Sequence, residues 1–526
     1  MFHNKLKSLA LFGGAVFFAG TAFAQQNNNQ ALLDILVRKG ILTPQEAADL
    51  QKEVNTPPPA ESAPAAATPV AVTPVAVTPG TTQTVTVSTA PSGQSPLFFQ
   101  IGAAKFTPFG FLDLTTVYRS TDVGSGIGTG FTSIPYSNST AGQLSETRFS
   151  AQNSRLGLKV ESNVGEAKVL GYVETDFLGQ TPTAVSQTSN SDLLRLRNYF
   201  VDVRLNDWEF LAGQDWSLLT PNRKGLSPMP SDIFYTQDMD TNYQAGLIWS
   251  RQPQLRVTYH PTDEFAFGLS LENPDQFVGS AVTLPAANFS ATQVDNGSNG
   301  VTTPNSLPDV IAKAAYDTKF GGMSFHAEAA GLYSSYKVNT FSAGVINSDE
   351  SAHGYGGSFN SDLGILPNLH LIENAFWSDG GGRYTGGLAP DFVVLPPAVA
   401  GGAYTISPVH SASGILGFEW QVVPKTMLFG YYSLEKISQD FAANGASFVG
   451  YGYPTTTAAT AESQNRLINE YTLGVTETFW KDPNYGALQL ITQGSYLDRK
   501  PWVVVSGTPS DAHLVMFYVD VRYVLP

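Results

Sequence analysis

Arg195 and Arg197 stand two residues apart in the run Asp192–Leu205, and Tyr199 follows at the same spacing. On a strand the side-chain period is two, so these three share one face while Leu194, Leu196 and Phe200 take the other. Repeated guanidinium groups on one face suit carboxylate-bearing ligands, because the planar fork matches two carboxylate oxygens. Basic residues recur on the polar faces of other strand-like segments: Arg155 with Lys159, Arg256 and Lys313. Carboxylates accompany them at Glu174, Asp176, Glu272 and Glu328. One reading is that both signs pair across strands and hydrate a wet interior. The other is a transverse field that orients and selects charged solutes. The formal net charge of −15 argues weakly against an anion preference.

A Pro- and Gly-rich segment, 218–241, follows the second strand of this stretch and carries Arg223, Lys224, Asp232, Asp238 and Asp240. Long loops in compact domains are usually functional. Folded inward, it would be a constriction loop with both signs of charge across the gap; otherwise it is a surface loop. Signatures of covalent chemistry are missing. The chain has no Walker loop, no His-Glu-x-x-His, no Gly-x-Ser-x-Gly and no metal-spaced histidine set. It has no cysteine. No catalytic residue, metal or cofactor is therefore assigned, and the chain is not read as an enzyme. His326 and Glu328 share a strand face and read as a wall pair.

The elements that would position these charges are strands. Charged residues are only 14% of the chain and aromatics 12%, with mean hydropathy near zero. No apolar run reaches the ~18 residues of a spanning helix. From 97 to 526 the sequence predicts sixteen alternating segments, from 107–119 through 191–205, 208–217, 242–260 and 264–272 to 510–525. Their connections alternate long and short. The long ones include 120–145, 218–241, 273–306, 337–352, 379–411 and 438–466; the short ones include 162–165, 206–207, 261–263, 319–321 and 423–425. Outer-membrane barrels have long outside loops and short periplasmic turns, and an even strand number returns both ends to the periplasm. The predicted fold is all-β: a 16-stranded antiparallel transmembrane β-barrel. Charges on its lipid face would cost a few kcal/mol each near the midplane, so they must point inward. Glu477, on the face of Leu473 and Val475, is an exception.

The amino-terminal part is different. Lys5 and Lys7 precede the apolar run Leu9–Gly20, and Ala22-Phe23-Ala24 offers a cleavage site, so 1–24 reads as a secretory signal peptide. Residues 25–55 predict a helical hairpin: Ala31–Lys39, then a second helix after the cap Thr43 with Pro44 and Glu46. Residues 56–96 are a Pro/Thr/Ala-rich linker with a doubled Thr-Pro-Val-Ala-Val unit. Residues 31–54 read as a tether or oligomerisation element, with peptidoglycan or another periplasmic partner as the sharper alternative. An acidic protein of this kind is a poor partner for nucleic acid.

Short motifs resemble the DcaP-like trimeric outer-membrane porins. They are Leu194–Tyr199, Phe210–Ser217, Arg251–Arg256, Leu271–Pro274, Asn153–Gly157 and Gly380–Tyr384. The resemblance covers most of the barrel. It implies a homotrimer in outer-membrane lipid, an inward-folded third loop, an amino-terminal periplasmic extension and uptake of small organic anions such as dicarboxylates. By matching motif, Arg195, Arg197 and Arg256 would line the pore. Two features depart from the family pattern: a short hairpin with a Pro-rich linker replaces a long heptad run, and the chain ends Leu525-Pro526 rather than in an aromatic residue. Three functions remain open at this point: a passive porin, a barrel hydrolase and an envelope tether.

Overall fold

The computed structural model describes residues 96–526, apart from 180–192, 287–288, 306, 343–344, 398 and 400–401. The expected leader and hairpin, and nearly all of the linker, lie outside the described residues. Sixteen antiparallel strands close into a barrel. They are β1 (Ala104–Arg119), β2 (Glu146–Ser150 and, after a break, Arg155–Val164), β3 (Ala167–Asp176), β4 (Arg195–Leu205), β5 (Trp208–Trp216), β6 (Arg251–Tyr259), β7 (Phe265–Glu272) and β8 (Asp309–Phe320). The second half holds β9 (Met323–Ser342), β10 (Val345–Leu366), β11 (Leu369–Asp379), β12 (His410–Val423), β13 (Thr426–Ile437), β14 (Asn465–Asp482), β15 (Gly486–Pro501) and β16 (Ala512–Val524). Each pairs with the next, and β16 returns to β1 in register from Phe111↔Val524 to Arg119↔Met516. Closure leaves no row of unpaired amides at a sheet edge.

Alternation decides which way each side chain points. In β7, Phe265, Phe267, Leu269 and Leu271 are exposed outward while Gly268, Ser270 and Glu272 are buried inward. In β16, Val515, Phe517 and Val521 face out, and Asp520 is fully buried on the other face. Aromatic pairs sit on the outside near the short turns, such as the stacked Trp208–Tyr259 at 4.6 Å and the tilted Phe265–Tyr316 at 4.7 Å. An apolar band with aromatic rims is what a wall against hydrocarbon requires. Glu477 now has an account. It pairs in register with Thr426, the first residue of β13, at the short-turn rim, and accepts that hydroxyl's hydrogen bond at 2.5 Å.

Three expectations are corrected. The shared face of Arg195, Arg197 and Tyr199 breaks at Arg197. On β3, Glu174 pairs with Asn198 and the adjacent Thr175 with Leu196, so Arg197 is an extra residue in β4. Such a bulge reverses the alternation beyond it. Arg197 and Asn198 are both buried, Tyr199 turns outward, and Phe200 packs inside on Tyr172. Second, the sixth strand starts at Arg251, not 242. Residues Gln244–Ile248 are buried, and Ala245 N–H donates to the Glu470 carboxylate (2.8 Å) instead of to a neighbouring strand. Third, β9 and β10 run through most of the expected loop 337–352 as a long ribbon, in register to Ser342↔Val345. The tight turn Asn206–Asp207 is present as expected, with Asn206 at φ 53.

Candidate functional site

The loop between β5 and β6, 217–250, folds into the barrel. The wall holds it mainly by its main chain. Glu272 accepts from Leu218 N (2.8 Å), Glu328 from Asn222 N (2.9 Å), Asp317 from Gly225 N (2.9 Å) and Glu470 from Ala245 N (2.8 Å). Tyr431 accepts from Gln237 N at 3.0 Å, and Gln493 from Met239 N. Side chains add to this: the Arg223 fork grips Glu419 at 2.7 and 2.9 Å, Gln244 bonds Ser433 and Thr472, and Tyr518 OH donates to Asp240 at 3.1 Å. Inward-facing strand carboxylates thus satisfy the amides of a segment that makes no regular ladder, as buried amides require. Inside the loop, Asn222 bridges Ile233, and Arg223 N donates to Asp232 O at 2.6 Å.

This docking sorts the candidate residues. Lys313 is buried under the loop, bonded to Thr220 O (2.7 Å), Asn222 Oδ1 (3.0 Å) and Glu328 (2.8 Å). Arg256 is buried and bonded to Gln254 and the Trp216 carbonyl, with Asp215 at 3.5 Å. Arg197 is shared between Glu174 (2.5 Å) and Asp176 (2.9 Å), and Arg195 clamps Asp176 with two bonds, at 3.0 and 2.7 Å. Glu272 anchors the loop. Arg197, Arg256 and Lys313 are committed to these partners. Lys224 is exposed and stands by an opening of about 590 Å³ at the short-turn end, with His326, His370, Lys319, Asp317 and Asp362. His326 lies 3.5 Å from Glu328, the wall pair expected from their shared face.

Arg155 differs. It lines a narrow space of about 170 Å³ between the loop and the wall, with Phe111, Tyr235, Asp238, Tyr243 and Arg522. Its nearest partners are distant: Tyr243 OH at 3.5 Å and Glu174 at 3.8 Å. Its Nε has no hydrogen-bond partner. Arg522, from β16, approaches from the other side, 3.1 Å from Asp113 and 3.4 Å from Asp520. Phe111 lies between the two guanidiniums, at 4.0 Å from Arg522 and 5.3 Å from Arg155. Sequence alternation puts Arg522 on the inner face, but only barrel closure sets the last strand against the first, one strand away from Arg155. Across the space, the loop presents buried carboxyls. Burial pushes Asp238 from the ordinary 3.8 up to about 7, against hydrogen bonds from Thr236 and Gln244. Asp240 is also raised by burial, against the pull of Arg119.

The outer-membrane channel DcaP of Acinetobacter baumannii superposes on 80% of this chain and 97% of its own, with a TM-score of 0.55 and 19% identity. The fold is that of an outer-membrane channel. The anion-selective porin of Comamonas acidovorans covers 80% of this chain and 99% of its own at 13% identity, with a TM-score of 0.43. No protein-family model and no curated protein matches the sequence. The DcaP barrel is also the one whose motifs the sequence resembles, so residues and fold point to the same architecture. An inward-folded third loop, implied by that resemblance, is present.

Proposed function

We propose that the chain is an outer-membrane porin: a passive diffusion channel for small hydrophilic solutes, favouring carboxylates. Arg155 carries this reading. A half-buried guanidinium whose Nε has no partner, beside the smaller of the two spaces described, is placed to bind a passing carboxylate by charge-assisted hydrogen bonds. Arg522 adds a second positive group across Phe111. The saturated Arg197, Arg256 and Lys313 serve instead to hold the wall and the loop. Residues 1–24 direct export, 25–55 and 56–96 form a periplasmic hairpin and its linker, and the barrels assemble as a homotrimer. The test is planar-bilayer recording of the refolded protein. Steady conductance, reduced by millimolar small dicarboxylates, is expected; a refolded barrel that passes no current would defeat the proposal.

The Asp238 carboxyl makes the loop sensitive to pH. Released into water, the group returns to its ordinary value near 3.8; docked, it titrates at about 7. Between these values the docked loop keeps a proton that the released loop has lost. Docking therefore weakens as pH rises through that window and is constant above it. Transient current interruptions should be severalfold more frequent at pH 8 than at pH 4, and Asp238→Asn should reduce that dependence, leaving the part that Asp240, also raised by burial, contributes. Single-channel recordings of both proteins check it.

A further inference from the structure

The outward face of β12–β16 carries an arrangement that conduction does not use. Register places Phe418, Gly430, Leu473, Gly494 and Phe517 side by side on five successive strands. Large and absent side chains alternate. The next row toward the long loops is Leu416, Tyr432, Tyr471, Tyr496 and Val515. Between these rows lies an apolar groove of about 740 Å³. The tyrosines form a shelf, Tyr432 stacked on Tyr471 at 4.8 Å and Tyr496 tilted against Tyr471 at 6.4 Å. Above the shelf the chemistry turns polar. Tyr432 OH donates to Asn469, whose amide holds both oxygens of Asp498 at 3.2 and 3.3 Å. One row higher, Lys436 and Lys500 flank Leu467 across a single strand. Their backbones are thus two strand spacings, about 10 Å, apart. Lys500 lies 3.7 Å from Asp498; Lys436 is exposed and has no ion-pair partner among the described residues.

Gly494 is the informative residue. A mid-strand glycine weakens a sheet and often marks a close approach by a ligand or another backbone. Here its φ is not in the left-handed region, and an added Cβ would meet nothing within 4 Å. Neither backbone nor neighbours demand glycine; the missing side chain only keeps the groove open. An apolar trough, an aromatic shelf and a lysine pair follow one another from the midplane toward the outer surface. That order matches one amphiphile with its chain below and its anionic head above.

We propose that this face binds one outer-leaflet lipid with a phosphorylated headgroup. An acyl chain lies over Gly494, beside the Phe418 ring that covers Gly430, and the phosphate bridges Lys436 and Lys500. The site rests on the outer-membrane reading, since it needs the long-loop end to meet the outer leaflet. Charge complementarity favours a lipid over a second barrel, whose apolar wall would strip water from Lys436 without replacing it.

Native mass spectrometry of the full chain, refolded in detergent with phosphatidic acid or phosphatidylcholine of identical chains, tests the proposal. Wild type should retain phosphatidic acid roughly tenfold more than phosphatidylcholine. Lys436→Ala/Lys500→Ala should bring the two to the same level. Gly494→Trp should fill the groove and abolish retention of both, with the heat-modifiable gel migration of a closed barrel unchanged. Equal retention of both lipids by wild type would overturn the proposal. So would a Gly494→Trp protein that turns monomeric yet keeps its lipid, because the groove would then be covered by another copy. Should Gly494→Trp fail to fold, the lysine variant decides alone. Conductance of the same preparations separates failure of the lipid site from failure of the channel reading.

Discussion

With Arg155 and Arg522 both replaced by glutamine, the reversal potential in a salt gradient is expected to cross from the anion side to the cation side. The two guanidiniums are the positive groups on the wall of the 170 Å³ space. Removing them leaves Asp113, Asp520, Asp238 and Asp240 around it without their main counter-charge. Focusing of a field in a low-dielectric cleft changes local ion concentration by about 10-fold or more, so the permeability ratio should move by about that factor. Arg195→Gln is the control. Arg195 carries a charge already bound by Asp176 through two hydrogen bonds and sits at the strand end, so its loss should shift the potential much less. If Arg195→Gln shifts it as far as the double variant, selection occurs elsewhere and the role given to Arg155 is wrong.

The largest stability loss is expected from Asp176→Ala. This carboxylate is fully buried and holds both Arg195 and Arg197. Its removal leaves the buried Arg197 with Glu174 alone, and Glu174 already faces Arg155 and Tyr172. Breaking a buried pair from one side typically costs about 3–5 kcal/mol, because the remaining charge keeps its desolvation penalty. Arginine cannot escape that penalty by losing its proton. Asp176→Asn should cost less, since the amide oxygen still accepts one bond. Urea unfolding of the refolded barrel in detergent, followed by tryptophan fluorescence, reads the difference. A midpoint equal to wild type for Asp176→Ala would show that the pair contributes nothing to the wall.

The barrel was legible because its determinants are local. Alternation in β7 or β16 needs only a few neighbouring residues, and the long–short rhythm of connections needs only turn composition. The bulge at Arg197 was missed although the sequence marks it: the outward apolar phase of Leu194 and Leu196 shifts to Tyr199, Val201 and Val203 across two adjacent polar residues, Arg197 and Asn198. The 242–250 segment failed for another reason. Its apolar residues are buried by loop and wall together, and an amphipathic loop core reads like a strand. Pro253 sits within the sixth strand; it pairs with Gln214 near the strand's start, where few ladder bonds are at stake. The site itself was half visible. Arg155, Glu174 and Asp238 were on the inner face or in the loop as read. Arg522 joins Arg155 at the same space only when the last strand meets the first, though the two are more than 360 positions apart in sequence.

The grip on the 217–250 loop is one-sided in its chemical demands. The wall supplies specific carboxylates, but most of what they seize is peptide N–H, which every residue except proline possesses. Side chains along the inner lip are therefore largely free to change while the bend they ride on stays put. Such a socket lets one cylinder serve many diets: a substitution at the half-buried Tyr235 can alter what gets through without asking the scaffold to be rebuilt.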